Sequence, residues 1–300
     1  MIQEKLQEAK DAAQRTIESK TRFLSNMSHE IRTPLIGISG MVSFLLDTKL
    51  SEEQLDYCHT ISSSSDALLM VINDILDLSK VESGKMTLTN SWFHVRRLVE
   101  EANEFLSSMA ISKSLELNYI VESDVPIWVR GDRIRLRQVL LNVIGNAIKF
   151  TDQGEVFTRC SQLIVDGEVF LRVEVIDTGR GFTTEDEHRM FKPFSQLKTM
   201  PQNTSSGTGL GLVISRQLIQ LHGGNLTCKG EKDKGSTFVF TCKVKIPTDE
   251  DGPSPEDMNK AVNASSGDIV MSPSENHEDL DILIICSLKY AAMSIVHHIR

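Results

Sequence analysis

The most restrictive feature of this sequence is a run of apolar residues that recur every three or four positions between residues 24 and 45. This spacing places apolar side chains along one side of an α-helix, as in the seam of a coiled coil. The predicted seam consists of Leu24, Met27, Ile31, Leu35, Ile38, Val42 and Leu45. A helix with such a seam has to pack against other helices, so the chain is predicted to contain a helical module near its start.

A second helix is predicted to begin after Ser51, because Ser51 and Gln54 have the spacing of a capping box. Its apolar positions continue a seam, which consists of Ile61, Leu68, Ile72 and Ile75. The two helices should form an antiparallel hairpin whose apolar stripe is too large to remain exposed. Two hairpins in a four-helix bundle would bury the stripe, so we expect a homodimer. The alternative is one hairpin packed on its own globular domain.

Composition limits the class of protein. The chain has 300 residues, which allows two domains or one domain with a helical module and tails. A net charge of −9 argues against nucleic acid or an anionic membrane as the main partner. No segment has the apolar length of a membrane span. The cysteines lack zinc-site spacing and are expected to be reduced core residues in the cytoplasm: Cys58, Cys160, Cys228, Cys242 and Cys286.

The pattern changes after Ser83-Gly84, which is predicted to end the second helix and act as a hinge. Strands and helices then follow one another in a mixed α/β arrangement. Asp166-Gly167 predicts a hairpin turn between two of the strands. Strands are predicted at residues 86–88, 115–121, 155–165, 168–176, 225–229 and 236–246, and helices at 95–111, 132–150, 185–191 and 209–221.

His29 is the candidate reactive residue of the first helix. It falls between seam positions, so its imidazole should face solvent, where a neutral ring is a competent nucleophile. Glu30 can accept the Nδ1 proton, which leaves Nε2 free to attack. Thr33 lies one turn on, and Pro34 should bend or loosen the helix there. For an isolated His-Glu pair, the simpler interpretation is a solvated surface histidine.

Two groups of polar residues and glycines suggest a nucleotide site. Asn142, Asn146 and Lys149 share one face of a predicted helix, and an amide oxygen is a suitable ligand for Mg²⁺. The asparagines could instead satisfy local backbone groups. Asp177, at a strand end, can accept a hydrogen bond from an adenine amino group. The glycine-rich segment 207–212 opens a helix, whose backbone donors suit phosphate.

Residues 26–35, with His29 near their centre, closely resemble the phosphoacceptor H-box of sensor histidine kinases. The later segments resemble, in order, the N, G1, F, G2 and G3 boxes of the ATP-binding domain of that family, which belongs to the GHKL superfamily. These boxes correspond to the helix at 132–150 (N), residues 177–181 (G1), Phe191 and Phe194 (F), residues 207–212 (G2) and residues 235–238 (G3), and the loop 192–206 would be the mobile ATP lid. The resemblance covers about residues 20 to 246. It implies an α+β fold class, with an antiparallel helical hairpin that forms a dimeric four-helix bundle and then an α/β two-layer sandwich of the GHKL (Bergerat) type.

The resemblance also implies roles for individual residues. His29 would take the phosphoryl group, Glu30 would steady its ring, and Thr33 matches the position that orients water in members with phosphatase activity. Asn146 would hold Mg²⁺. Lys149 would contact the phosphates and Asp177 the adenine. The residues assigned to ATP binding are Asn142, Asn146, Lys149, Phe150, Asp177, Gly179, Gly181, Phe191, Phe194, Gly207, Thr208, Gly209, Leu210, Gly211, Leu212 and Thr237.

Two positions separate this chain from related proteins. The gyrase and heat-shock chaperone types of the superfamily carry a water-activating Glu where this chain has Asn142, and an amide cannot act as a general base. The chain should therefore bind ATP without hydrolysing it quickly. In the G1 segment, Arg180 and Phe182 depart from the small or aliphatic residues expected there.

These features predict an ATP-dependent, autophosphorylating protein-histidine kinase of a two-component phosphorelay, with the cofactors ATP and Mg²⁺. Its phosphoryl group would pass to an Asp of a receiver domain, in its own chain or a separate one, and a histidine-containing phosphotransfer protein is a further candidate partner. The alternatives are a catalytically silent ATP-binding scaffold and a GHKL ATPase clamp, of which the clamp is disfavoured by Asn142.

The predicted domain organisation is that of a fragment of a hybrid, fungal-type kinase. Residues 280–285, which are apolar except for Asp281, resemble the first strand of a receiver, but Cys286-Ser287-Leu288 replaces the usual acidic pair, which indicates a pseudo-receiver. The predicted segments are a coiled-coil-like connector at 1–22, the dimerisation and phosphoacceptor domain at 23–84, the catalytic ATP-binding domain at 85–247, a disordered acidic linker at 248–279 and a truncated receiver-like start at 280–300.

Overall fold

A computed structural model describes residues 2–195, 208–248, 250–254 and 257, and for residues 2–18, 20–22 and 25 it describes the backbone alone. The described chain divides into two compact units. The first unit contains the chain up to Thr87, with Pro193–Ser195 and described residues up to Ile214, and the second contains most of the remainder. Gly207, most of the predicted loop 192–206 and the predicted receiver-like segment lie outside the described residues.

The first unit is built on a helical hairpin, α1 (Ile2–Leu46) and α2 (Glu52–Glu82). The predicted capping box is confirmed. The Ser51 hydroxyl accepts from the Gln54 amide at 3.3 Å, and the Gln54 side chain accepts from the Ser51 amide at 3.0 Å. At the other end of α2, Ser83 caps the helix and Gly84 adopts a φ of +66°, as expected for a helix stop.

The predicted strand at residues 86–88 is wrong. The amides of Lys85 and Met86 both donate to the Lys80 carbonyl at the end of α2, at 2.9 and 3.2 Å. These two amides therefore satisfy a carbonyl at the C-terminus of α2, and residues 86–88 do not form a strand. Met86 is nevertheless buried, which explains why the segment has an apolar pattern.

The predicted seam of α1 is only partly buried within one chain. Leu35 and Val42 are buried, and Leu24 and Met27 are half-buried. Three other seam residues remain exposed: Ile31, Ile38 and Leu45. The apolar side chains of Met41 and Phe44 are also exposed, at 64% and 67%. The hairpin therefore retains an apolar surface that its own two helices do not cover.

The second unit contains a mixed five-stranded sheet, in the order β2-β4-β5-β7-β6, and a separate β1-β3 pair. In the larger sheet β2 and β4 are parallel and the other neighbours are antiparallel. Its strands and helices are β1 (Ser91–His94), α3 (Val95–Ser112), β2 (Glu116–Val121), β3 (Trp128–Gly131), α4 (Arg133–Phe150), β4 (Glu155–Val165), β5 (Glu168–Asp177), α5 (Thr184–Met190), α6 (Gly211–Leu221, which begins in the first unit), β6 (Leu226–Glu231) and β7 (Gly235–Lys243).

The core of the second unit lies on one face of its larger sheet. Residues at alternate positions of β5 are buried, from Leu171 to Asp177, whereas those between them are half-buried. Helix α4 contributes a buried stripe at helical spacing: Leu136, Val139, Leu140, Val143, Ile144, Ala147 and Ile148. This arrangement is a two-layer sandwich. The predicted α+β class, with a helical hairpin before a sandwich, is confirmed.

Sequence patterns located most elements of this unit. The predicted Asp166-Gly167 turn joins β4 to β5, with positive φ values of 51° and 80° that match the requirement of a tight hairpin. The four-residue strands β1 and β3 were not predicted, because so few residues show no clear alternation. They pair with each other, and the chain after β7 joins them through a bridge between Arg130 and Lys245.

The four described cysteines are free and buried, as predicted. Burial raises the pKa of the Cys228 and Cys242 thiols to about 12. The described helices include none with both the length and the apolar character needed to cross a lipid bilayer.

Candidate functional site

His29 lies on the exposed side of α1, next to the buried Ser28. Among the described residues, none makes a hydrogen bond with its ring. The Thr33 hydroxyl donates to the main-chain carbonyl of His29 at 3.1 Å. Glu30 is exposed, and as the next residue in the helix it points about 100° away around the axis. The imidazole is therefore accessible to a solution reactant.

Helix α1 continues past the candidate histidine without a break. Pro34 lies inside the helix, which extends to Leu46. Leu35, directly after the proline, is buried, and the Arg32 guanidinium donates to the Asn73 side chain of α2 at 3.0 Å. The hydrogen bond from Arg32 to α2, two residues before the proline, thus helps to hold the helix that carries His29.

Thr208 of the predicted G2 box makes a hydrogen-bonded bridge within the first unit. Its hydroxyl donates to the Asp74 carboxylate at 3.0 Å and accepts from the Leu210 amide at 3.1 Å. Burial raises the pKa of Asp74, and the hydrogen bond from Thr208 partly opposes this rise. The sequence did not identify Asp74, because residues 74 and 208 are 134 positions apart.

The other described residues of the G2 box have different roles. Leu210 is fully buried, and Gly209 has a φ of +70°. A Cβ atom at Gly209 would lie 3.1 Å from main-chain atoms of Phe194. Gly211 and Leu212 form the first residues of α6. The glycine here allows a close approach of two loop segments.

On α4, the predicted asparagine pair forms a directional chain of hydrogen bonds. The Asn146 amide nitrogen donates to the Asn142 side-chain oxygen at 3.4 Å, and the Asn142 amide nitrogen donates to the Ser215 hydroxyl at 2.9 Å. Both side chains are half-buried. In this arrangement the side-chain oxygen of Asn142 is already an acceptor, and the side-chain nitrogen of Asn146 points toward it. The Asn146 oxygen is thus the acceptor that could serve as a neutral ligand for a hard cation.

The end of α4 combines a cation with an aromatic ring. The ammonium of Lys149 lies 5.5 Å from the ring centroid of Phe150, and burial lowers the pKa of Lys149. The guanidinium of Arg180 lies 5.5 Å from the same ring. This contact accounts for the departure at Arg180, because a guanidinium plane can stack on an aromatic face. Phe182 fits differently, with its ring against Gly230 and a tilted contact to Phe238.

Asp177 ends β5 and is buried between neighbouring strands. Its Oδ1 accepts hydrogen bonds from the amides of Gly179 at 2.9 Å and Ser236 at 3.2 Å. Burial raises the pKa of this carboxyl group, whereas the hydrogen bonds from Gly179 and Ser236 oppose the rise. Both amides use Oδ1, and the Ser236 side chain is a further hydrogen-bond partner of the carboxyl group. Because each carboxylate oxygen has two lone pairs, Oδ2 can still accept a donor from a ligand.

Two glycines after Asp177 are required by their surroundings. A Cβ atom at Gly179 would collide with the Phe150 carbonyl oxygen. Gly181 adopts a φ of +58°, and a Cβ atom there would collide with the Glu231 carbonyl group. The loop can therefore lie against the end of α4 at Gly179, and against Glu231 of β6 at Gly181, only because these residues have no side chain.

The remaining predicted ATP-binding residues are Phe191, Phe194 and Thr237. Phe191 caps α5, with the Arg216 guanidinium 4.7 Å from its ring centroid. Phe194 is 68% exposed and has a φ of +58°. Thr237 is half-buried in β7, beside the Ser236 that donates to Asp177. The sequence placed Ser236 in a segment expected to close the adenine end, and its amide does donate to Asp177. It did not reveal Ser215 or Arg216, because their contacts depend on tertiary folding.

Comparison with known proteins gives two family matches. Residues 19–84 match the model of the His Kinase A (phospho-acceptor) domain. Residues 131–246 match the model described as histidine kinase-, DNA gyrase B-, and HSP90-like ATPase. His29 falls in the first match, and the asparagine pair of α4 and Asp177 fall in the second.

Several longer proteins are similar to this chain. The peroxide stress-activated histidine kinase mak1 of Schizosaccharomyces pombe is 56% identical over 244 residues, which cover 80% of this chain and 15% of mak1. The sensor protein GacS of Pseudomonas syringae is 40% identical over 260 residues, or 86% of this chain and 28% of GacS. The chain thus spans less than a third of either relative.

A solved structure is also similar to this chain. The crystal structure of full-length ShkA in complex with AMPPNP has a TM-score of 0.64 and 34% sequence identity, and covers 76% of this chain and 46% of ShkA.

Proposed function

Because the chain belongs to the sensor histidine kinases, we propose that it is the catalytic core of a protein-histidine kinase that transfers the γ-phosphoryl group of ATP to His29. One observation carries the proposal. An exposed imidazole lies in a phospho-acceptor domain of the same chain that contains an ATPase-like domain with a buried, hydrogen-bonded Asp177.

The chemistry of the second unit suits ATP. Asp177 has one oxygen engaged by amides and can use the other to accept a hydrogen bond from the adenine amino group. Lys149 at the end of α4 supplies positive charge for the phosphates. The ShkA structure contains AMPPNP, a nucleotide triphosphate analogue. We therefore propose ATP as the phosphoryl donor.

The residues of α4 also fit Mg²⁺. The hydrogen-bond chain through Asn142 leaves the amide oxygen of Asn146 as the acceptor available to a cation. Mg²⁺ prefers oxygen ligands and commonly keeps several waters with few protein ligands, so one amide and the phosphates of the nucleotide are sufficient. When bound, the ion would neutralise negative charge on the phosphates. We propose Asn146 as the protein ligand.

The proposed transfer forms one bond and breaks one. The lone pair of His29 Nε2 attacks the γ-phosphorus of ATP, and the bond from that phosphorus to the β,γ-bridging oxygen breaks, so that ADP leaves. The imidazole then releases its Nδ1 proton, for which Glu30 is the proposed acceptor. Thr33 is proposed for a separate step, the orientation of water during dephosphorylation. In the present structure its hydroxyl is engaged by the main chain.

Asn142 favours transfer to histidine over hydrolysis. Its side chain has an amide in place of a carboxylate, and both ends of that amide are engaged by Asn146 and Ser215. An amide cannot remove a proton from water, so ATP in this site should react slowly with solvent. The competing proposal, a silent ATP-binding scaffold, is distinguished by whether His29 becomes phosphorylated.

We propose that the hairpin forms the homodimer. Its uncovered apolar residues, among them Ile38, Met41 and Phe44 of α1 and Ile61 and Leu68 of α2, would become buried in a four-helix bundle. The final acceptor is proposed to be an aspartate of a receiver domain. The division into connector, phosphoacceptor, catalytic and receiver-like segments stays a prediction, as does the cytoplasmic location.

Incubation with γ-labelled ATP and Mg²⁺ tests the proposal. We expect label that survives alkali and is lost in acid, as phosphohistidine is. The label should be absent from His29→Gln and Asn146→Ala. It should remain in His59→Gln, a matched control because His59 is an exposed histidine on α2. Normal ATP binding without any label would support the silent scaffold and contradict the kinase.

A further inference from the structure

The last turn of α4 contains Lys149 and Phe150, and its carbonyl groups have no partners further along the helix. Lys113, the residue that caps α3, fills this gap. Its ammonium group donates to the carbonyl oxygens of Ile148 at 3.0 Å, Lys149 at 2.8 Å and Thr151 at 2.9 Å. A lysine ammonium has three donors, and each has a partner here.

The fourth carbonyl in this stretch is engaged from a different direction. The Phe150 oxygen accepts a hydrogen bond from the Arg180 amide at 3.3 Å. Arg180 belongs to the loop that follows Asp177, and the neighbouring Gly179 packs on the same Phe150 oxygen. All four carbonyl oxygens from Ile148 to Thr151 thus accept a hydrogen bond, three from Lys113 and one from Arg180 of the loop that follows Asp177.

We propose that Lys113 is a positioning residue of the nucleotide site. Its positive charge lies at the negative end of α4, where the helix dipole favours a cation. By holding three carbonyls together, it fixes the main chain from which the Lys149 and Phe150 side chains project, and the surface on which the Asp177 loop rests. The inference depends on the proposed function, since that function assigns this turn to ATP.

The physical consequence of removing the ammonium follows from burial. Ile148 and Thr151 are fully buried, so their carbonyl oxygens would lose a hydrogen bond in a place where water has little access. An unsatisfied buried acceptor is costly, and the turn is expected to rearrange to find new donors. Such a rearrangement would move Lys149 and Phe150 before it disturbs Asn146, about one turn earlier, or Asn142, about two turns earlier.

A competing explanation is that Lys113 acts through its ion pair with Asp152, at 4.0 Å. Asp152 has a side chain that is 81% exposed, and exposed ion pairs contribute little. Asp152→Asn removes this pair and retains the three carbonyl contacts, so it is a matched control. Asn103→Ala is a second control. It removes a hydrogen bond within α3, to the Val99 carbonyl at 2.8 Å, and leaves the end of α4 untouched.

The test measures equilibrium ATP binding, thermal stability and His29 phosphorylation in four variants. We expect Lys113→Met to weaken ATP binding about tenfold and to raise the KM for ATP by a similar factor, whereas kcat changes less than about threefold. Lys113→Arg, which keeps the charge and several donors, should recover most of the affinity. Asp152→Asn and Asn103→Ala should bind ATP as the wild type does, even where Asn103→Ala lowers the melting temperature.

Two results would overturn the positioning role. One is wild-type ATP affinity in Lys113→Met. The other is an equal loss of affinity in Asn103→Ala at matched loss of stability, which would indicate a general folding effect. The kinase proposal fails by a different result, namely a wild-type chain that binds ATP but carries no label on His29. The ATP affinities of the variants can still be compared in that case.

Discussion

His29 and Asp177 occupy opposite kinds of environment. His29 is exposed on a long helix, without a hydrogen bond to its ring from the described residues. Asp177 is buried at the end of a central strand, and amides of Gly179 and Ser236 fix one of its oxygens. The two environments match the requirements of the two steps. A phosphoryl acceptor has to be reachable, whereas a group that recognises a nucleotide has to be held in place before the nucleotide arrives.

The same contrast extends to the backbone. Around Asp177, glycines allow main-chain segments to lie against each other, and Lys113 and Arg180 engage the carbonyls at the end of α4. On the helix that carries His29, a Cβ atom added at Gly37 or Gly40 would meet no neighbouring side chain or segment within 4 Å in the described part of the chain. Substitutions should therefore be costly in the nucleotide site and tolerated on the acceptor helix.

The largest effect is expected from Asp177→Asn, which removes the charge of the proposed adenine acceptor. Loss of a hydrogen bond to a charged group corresponds to about 1.5–3 kcal/mol, or roughly 10- to 100-fold in ATP affinity. Calorimetric titration with ATP would measure it. Wild-type affinity in this variant would contradict the assignment of Asp177 to the base.

The free energy of unfolding of Asp177→Asn should rise, although its ATP affinity falls. Burial raises the pKa of Asp177, so the folded state holds this proton to a higher pH than the unfolded chain does. The contribution of Asp177 to stability is therefore favourable below its unfolded pKa and is lost as the pH rises through its folded pKa. At neutral pH, Asp177→Asn should raise the free energy of unfolding of the nucleotide-free protein. Urea titrations at several pH values would show a flatter pH profile.

An intermediate effect is expected from Gly179→Ala. Its methyl group would collide with the Phe150 carbonyl oxygen and press on the Thr151 hydroxyl. Overpacking of this kind commonly costs about 1–3 kcal/mol in the free energy of unfolding. ATP affinity should fall as well, because the loop that carries Asp177 is displaced. Urea denaturation and ATP titration would measure the two losses.

The matched change on the acceptor helix, Gly37→Ala, should have the smallest effect and the opposite sign. Alanine favours a helix over glycine by about 0.5–1 kcal/mol, and no described neighbour within 4 Å opposes the methyl group. We expect a slightly higher stability in the same urea titration and unchanged phosphorylation. A loss of unfolding free energy as large as that of Gly179→Ala would contradict the expectation that the acceptor helix tolerates substitutions better than the nucleotide site does.

Much of this architecture follows from local sequence signals. The seam from Leu24 predicted α1, the Ser51-Gln54 capping box predicted the start of α2, and the Asp166-Gly167 turn predicted the β4-β5 hairpin. These signals are readable because each depends on residues only a few positions apart. The prediction of a strand at residues 86–88 was wrong, because a buried Met86 gives the same local pattern as a strand.

The supporting residues of the site could not be predicted in the same way. Lys113 reaches carbonyls 35 to 38 positions away, and Thr208 reaches Asp74 across 134 positions. Neither pair has a local pattern, because tertiary folding alone brings the partners together. Arg180 looked like a departure from the family, and its contact with Phe150 supplies a physical reason that the sequence did not contain.

Transfer of the phosphoryl group to His29 is tested by locating this group in the chain after incubation with ATP and Mg²⁺ at alkaline pH. Peptide mapping by mass spectrometry, with fragmentation that preserves the P-N bond, would compare His29 with His59, the exposed histidine on the partner helix of the hairpin. We expect a single phosphoryl group on His29 and none on His59. A phosphoryl group on His59 or on another residue, with His29 unmodified, would contradict this expectation.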